Sequence, residues 1–434
     1  MHDIVIFLER DAPPLNLWLN HDADVSRSLP TRMLLRIFLI AVYALILPWV
    51  LLYRTLAHYI VSPTHPAWGL FEELVVASGR LYYYIVRKPI PSSYPPAPIS
   101  LSQFDFDPTS WKIRKFAKWR VGKRTKVYNV RLPKIDEKFV KGVAMAGSEH
   151  VKKVDVPGFW VCREDSRWAK EDGVEISANE GEKVIVFAPG GGIHALTSPV
   201  PYGLALSTHL RILALNSRPA INPSTAFPAQ LIDAMAGYSY LTHQLGFRSE
   251  NIMLVGESAG AYLHLALMTY LSELKSEGID AGMVGAAALM SPACNLSRFD
   301  AQPVRTDFRF PTYRKLIVPL QTYHFSSDAL ATSPYFSPSL AGQFAYLSQA
   351  PHRTKVWIQY GDSELFADDI KKLIDRMKEQ GVDVREDAIY GGLHCDATIR
   401  RAFGRKEKSW VMFLEAVKDM GWQASDDAWK VQAS

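Results

Sequence analysis

Hydrophobic positions along this chain change their spacing twice. Ile37 to Tyr53 form an uninterrupted apolar run, which Met33-Leu34-Leu35 extends with Arg36 as its one charge. The run has no polar face and approaches the ~20 residues that cross a bilayer as a helix, so it predicts a membrane anchor over 33–54 behind a tail of 1–32. Pro48 is tolerated in a spanning helix. A cleaved signal peptide would have a shorter apolar region nearer the start, followed by a small-residue cleavage site. From Leu70 to Val86 the apolar residues take mixed helical spacing, with Tyr82 to Tyr84 in succession. That predicts a helix that packs on the following domain or lies at the membrane interface. Pro89 to Pro108, rich in Pro and Ser, reads as a linker, so 55–110 joins the anchor to the rest.

From about Trp111 onward short β-branched runs alternate with longer helical ones. The predicted strands are Val184 to Phe187, Arg211 to Leu215, Asn251 to Val255, Gly285 to Met290, Lys355 to Tyr360 and Val382 to Ile389. Helices are predicted over Ala229 to Gln244, Ala261 to Glu277 and Asp368 to Gln380. This alternation predicts an α/β domain over 111–434 with a mostly parallel sheet, whose chemistry sits at the carboxyl ends of the strands.

Charge orients the anchor. Arg27, Arg32 and Arg36 precede its core, whereas Arg54 alone follows closely, so the positive-inside rule predicts a cytoplasmic N-terminus and a lumenal or extracellular bulk. Asn295-Leu296-Ser297 is a glycosylation sequon compatible with that side. The net charge of +5 is scattered over 434 residues without a nucleic-acid motif, so it reads as a solvated surface and nucleic acid is not an expected partner. Cys162, Cys294 and Cys395 form neither a disulfide framework nor a metal-ligand pattern and read as structural thiols.

Three loops carry the candidate chemistry, each just after a predicted strand. Gly256-Glu257-Ser258-Ala259-Gly260 follows Asn251 to Val255 and precedes a helix-compatible run. A serine flanked by glycines at that spacing fits a strained strand-to-helix turn that exposes a nucleophile. Upstream, Pro189-Gly190-Gly191-Gly192 can aim backbone N–H groups at a developing oxyanion. A phosphate-binding use is disfavoured, because neither the Walker lysine nor the dinucleotide spacing is present. Downstream, Gly361-Asp362-Ser363-Glu364 offers an acid to orient a histidine, with Asp362 and Glu364 both eligible. Asp368 and Asp369 are placed to cap the next helix. Gly391-Gly392-Leu393-His394 follows the last strand, and of 12 histidines His394 alone completes the order Ser, acid, His. His194 and His264 lie near motifs but in the wrong place for a general base.

Together these loops resemble the hormone-sensitive-lipase group of α/β-hydrolases, from roughly Val184 to Phe413. Phe227-Pro228-Ala229 with Asp233, Ser291-Pro292 with Asn295, and the Ser-Pro pairs at Ser333 and Ser337 resemble further segments of that family. An N-terminal anchor before such a domain is similar to membrane-bound fungal steryl acetyl hydrolases and arylacetamide deacetylases. The resemblance implies an α/β-hydrolase fold with a helical cap over about 297–350, Ser258 as nucleophile and His394 as base. It implies the N–H groups of Gly191, Gly192 and Ala259 as oxyanion donors, and it favours Glu364 over Asp362 as the acid. Two departures bear on loop rigidity. Pro189 stands where the family has histidine, and Asn216 to Ile221 lacks the acidic residue of the family's corresponding stretch.

The resulting expectation is a membrane-anchored serine esterase acting through an acyl-enzyme, without metal or cofactor, on small lipophilic esters. Acetyl esters such as steryl acetates, and an endoplasmic-reticulum membrane with a lumenal catalytic domain, are implied by the resemblance. Cap aromatics (Phe308, Phe310, Tyr313, Tyr323, Phe325, Tyr335, Phe336) serve equally as pocket or core. Two alternatives stay open: a deacetylase of amides or secondary metabolites, which uses the same triad, and a non-catalytic receptor on the same scaffold, against which the presence of His394 argues.

Overall fold

The computed structural model describes residues 29–82, 85, 124–169, 176–191, 195–220, 223–297, 307, 323–326, 328–349, 353–405 and 408–424. The linker at 89–108 and three of the cap aromatics, Phe308, Phe310 and Tyr313, lie outside the described residues. The chain divides into two units, Met1–Ala97 with Gln302–Tyr313, and Pro98–Ala301 with Arg314–Ser434.

In the first unit, helix α1 runs Leu29–Ile60, longer than the apolar run alone predicts, because its flanks hold no Gly and only the interior Pro48 breaks the backbone pattern. Its stretch Ile37–Ile60 is, among the described residues, the one helix long and apolar enough to cross a membrane, and only 6% of that window is buried. Helix α2, Leu70–Tyr82, folds back along α1. Glu72 and Glu73 in its first turn close the connection, accepting from the Gly69 N–H at 2.8 Å and the Thr64 hydroxyl at 2.9 Å. Leu81 and Ile85 then pack on Leu39, flanked by Val42, Tyr43, Leu47 and Val50. Arg80 Nε donates to the Asp307 carbonyl at 2.8 Å, tying α2 to the inserted stretch of this unit.

The second unit is built on one eight-stranded sheet in the order β1-β2-β4-β3-β5-β6-β7-β8. The strands are β1 Thr125–Leu132, β2 Val156–Arg163, β3 Val184–Ala188, β4 Ile212–Leu215, β5 Ile252–Glu257, β6 Ala286–Met290, β7 Lys355–Gly361 and β8 Val384–Ile389. From β4 to β8 all neighbours are parallel, while β2 runs antiparallel to both β1 and β4. β3 and β6 are apolar throughout, β5 carries one charged residue, Glu257 at its end, and all three are fully buried, as strands covered on both faces must be. Helices α3 Val200–Thr208, α4 Ala229–Ser239, α5 Ala259–Ser276, α6 Ala367–Glu379, α7 Asp396–Ala402 and α8 Lys408–Asp419 follow the strands. Sheet order and crossovers give the α/β-hydrolase fold that the motifs imply.

Three sequence expectations change here. The predicted helix over Ala229 to Gln244 ends as an α-helix at Ser239 and finishes in a π-turn, Tyr240–Gln244. The first residue before α6 is Phe366, which makes no side-chain cap; Asp368 and Asp369 lie inside the first turn, where they face the positive end of the helix. The sequon at Asn295 cannot carry a glycan in this fold. Asn295 is 3% exposed, and its Nδ2, the atom a glycan would occupy, donates to Asp369 Oδ1 at 3.0 Å. Of the cap aromatics, Tyr335 and Phe336 are core: Phe336 meets Phe325 and Phe227 edge-on at 4.9 and 5.3 Å.

His264 shows why position outranks residue type. It lies on α5 with no exposed surface, its Nε2 3.0 Å from the Val255 carbonyl, so that nitrogen carries the proton. Burial pulls its pKa from 6.5 down to about 4. The unfolded chain therefore takes up a proton between pH 6.5 and 4 that the folded chain refuses, so this contribution is complete above pH 6.5 and fades as pH falls toward 4. At about 1.4 kcal/mol per pH unit, acidification to pH 4.5 should remove roughly 2–3 kcal/mol. Urea midpoints of detergent-solubilised protein at pH 7 and 4.5 read this out. His264→Gln should flatten the slope, and an unchanged slope would assign the acid sensitivity elsewhere.

Candidate active site

All the singled-out loops leave the carboxyl edge of the parallel strands. β5 ends at Glu257, and Ser258 turns the chain into α5 with φ 51° and ψ −111°, a conformation L-residues adopt only when held. The turn is held on both sides. Ser258 N–H donates to the Met290 carbonyl at 2.8 Å, and its own carbonyl accepts from Tyr262 N–H at 3.0 Å. The glycines around it are dictated by close approach: a Cβ on Gly260 would come within 2.1 Å of the Ala188 carbonyl oxygen, far inside van der Waals contact. The start of α5 thus rests directly on the strand end that leads into Pro189–Gly191, which brings Ala259 and Gly191 to one edge. Gly192 and His194 lie outside the described residues.

In the loop after β7 the two candidate carboxylates point to different partners. Glu364, 3% exposed, sets its Oε2 3.0 Å from His394 Nδ1. Asp362 turns away, accepting from Gly391 N–H at 2.8 Å and from the Ser363 hydroxyl at 2.9 Å. A carboxylate at Nδ1 fixes the tautomer with the proton on Nδ1 and leaves Nε2 as the basic nitrogen. Phe366 meets the His394 ring edge-on, with centroids 5.7 Å apart, and walls one side of the pair. The acid and histidine loops touch because Gly361 has no side chain: a Cβ there would overlap the Gly392 carbonyl.

The loop that carries His394 is in turn fastened to the Ser258 turn. The Met290 carbonyl that takes Ser258 N–H also accepts, more weakly, the Cys395 thiol at 3.9 Å. Cys395 has φ 53°, and its N–H donates to Ser291 Oγ at 2.8 Å. Asp396 accepts from Leu393 N–H at 3.0 Å while holding Ser409 at 2.7 Å and Arg400 at 2.8 Å. Ser291 and Asp396 therefore fix where His394 stands, and nothing in their spacing announced it. Asn295 plays the matching part for the acid loop through Asp369 on α6. Among the described residues, no cluster of His, Cys, Asp and Glu has the makings of a metal site.

The departure at Asn216 to Ile221 also has a structural answer. Arg218, buried, forms a double-sided pair with the fully buried Asp233 of α4, at 2.7 Å from Nη2 and 2.8 Å from its backbone N–H. The loop is braced without the missing acid.

Comparison with known proteins agrees with the fold. Residues 194–397 match the family model for the alpha/beta hydrolase fold, a span that begins beside the glycine loop and ends just past His394. No curated protein matches the chain. Among solved structures it is similar to an esterase/lipase from an uncultured bacterium, at 18% identity and TM-score 0.52, covering 82% of this chain and 100% of that one. It is also similar to the esterase LipW from Mycobacterium marinum, at 16% identity and TM-score 0.53, covering 71% and 86%. A hormone-sensitive lipase from a metagenome library aligns at 17% identity and TM-score 0.51, covering 73% and 94%. The chain has the fold of the α/β hydrolases.

Proposed function

We propose that this chain is a membrane-anchored serine esterase that hydrolyses small lipophilic carboxylic esters, acetyl esters such as steryl acetates being the preferred class. The observation that carries this reading is the buried Glu364–His394 pair beside the strained Ser258 turn. Ser258 Oγ attacks the ester carbonyl as His394 takes its proton, and the N–H groups of Ala259 and Gly191, with Gly192, meet the oxyanion. Collapse returns the proton to the departing alcohol and leaves an acyl-serine, which water, deprotonated by His394, hydrolyses. The solved structures it resembles include esterases and a lipase, and the fold is shared with them. The exposed apolar surface of α1 supports a lipid-side substrate. Fluorophosphonate labelling tests the reading: wild-type protein should label at Ser258, and failure to label alongside serine hydrolases that do would end it.

α1 is proposed to cross the membrane once, with residue 29 cytoplasmic and the catalytic domain in the endoplasmic-reticulum lumen. In intact microsomes the catalytic domain should resist added protease until detergent is present. Digestion without detergent would reverse the orientation.

A further inference from the structure

The esterase reading leaves one buried acid without a task. Glu257, between Gly256 and Ser258, is 2% exposed at the end of β5. Its Oε1 accepts from Ser198 Oγ at 2.9 Å and Thr398 Oγ1 at 2.6 Å, and its carboxyl also takes the Gly190 backbone N–H. These donors belong to different pieces of the site. Gly190 lies in the glycine loop. Ser198 lies between that loop and α3, where its Oγ also receives the Val200 N–H at 3.2 Å. Thr398 is on α7, four residues after His394.

All three donors are neutral, and burial pushes the Glu257 carboxyl up from its ordinary range. An acid is costly to bury here, so its presence calls for a role a smaller neutral residue could not fill. Two carboxyl oxygens can accept from three separate strands of chain at once. A glutamine has one such oxygen and turns an N–H₂ toward groups that already donate.

We propose that Glu257 is a positioning residue that locks the glycine loop and the helix that follows His394 to the Ser258 turn, holding the oxyanion donors and His394 in register with Ser258. It touches no reacting atom. Its effect runs through Gly190, adjacent to the donor at Gly191, and through Thr398, one turn beyond His394. Transition-state stabilisation is far more sensitive to such alignment than substrate binding, so loosening the lock should lower kcat and leave KM in place. The inference rests on the esterase reading.

The test uses the full-length protein in detergent with p-nitrophenyl acetate. Glu257→Gln should lower kcat about 30-fold with KM within about two-fold, and weaken a trifluoromethyl ketone, which forms a tetrahedral adduct with serine, in proportion to kcat/KM. Its melting temperature should stay within a few degrees of wild type. Thr398→Val should cost about five-fold in kcat, and the double variant should be no slower than Glu257→Gln alone, since both cut the same lock. Glu257→Gln with wild-type kcat, a purely multiplicative double variant, or losses confined to KM and melting temperature would each overturn the inference. If Glu257→Gln does not fold, Thr398→Val and Ser198→Ala carry the same kcat-against-KM comparison. A wild type that neither hydrolyses nor labels overturns the esterase reading and this inference with it, whereas an active wild type with an indifferent Glu257→Gln overturns this inference alone.

Discussion

Ser258→Ala should reduce turnover of short p-nitrophenyl esters by on the order of 10⁵–10⁶, to the level of substrate binding and the oxyanion donors alone. The magnitude follows from what the turn invests in that one residue. Ser258 holds φ 51° with its N–H and carbonyl both committed, in a conformation with no structural purpose except to push Oγ out of the strand end. Ser291, the other serine at positive φ on this edge, is engaged by the Cys395 N–H and cannot stand in. Residual activity within ten-fold of wild type, measured on protein purified from a host lacking the wild-type gene, would remove the nucleophile from this turn.

Glu364→Gln comes next in size, at about 10³–10⁴ in kcat, because an amide can donate to Nδ1 and so stabilise the tautomer whose Nε2 is already protonated and useless as a base. Asp362→Asn should cost less than about ten-fold. Its oxygen holds the Gly391 N–H, so the loop loosens slightly while the pair at His394 stays intact. Paired kcat measurements at one pH decide the matter, and the reverse ranking would move the acid to Asp362.

What could be read from the sequence depended on how local the cause was. The parallel strands β3 to β7 were legible because strands buried on both faces are largely apolar, and β3, β5, β7 and the edge strand β8 each lead into a glycine-containing motif. β1 and β2 were not. Thr125–Leu132 mixes polar and apolar residues as the edge strand, and β2 opens on Pro157-Gly158, which reads as a turn. α3 was hidden by the proline and glycine in Val200–Thr208, tolerated because the segment is buried against the core. The candidate serine, acid and histidine were visible because their chemistry demands a residue type at a loop position. The contacts made by Glu257, Ser291, Asn295 and Asp396 were not legible, although Ser291 and Asn295 stood out as family-like positions, because most of their partners lie far along the chain, up to 141 positions for Glu257 and Thr398.

The backbone crossings at Gly260 and Gly361 bear on how a mutational map of this protein should be interpreted. At each, the Cβ of any other residue would occupy a neighbouring carbonyl, Ala188 or Gly392. In a saturation scan scored by ester hydrolysis, every substitution at these two positions should be as damaging as substitution of Ser258 or His394. A scan scored by abundance should separate the two groups, with chemically inert replacements of Ser258 accumulating normally and the glycine replacements depleted. Intolerance on this edge of the sheet is thus of two kinds, and only one of them marks chemistry.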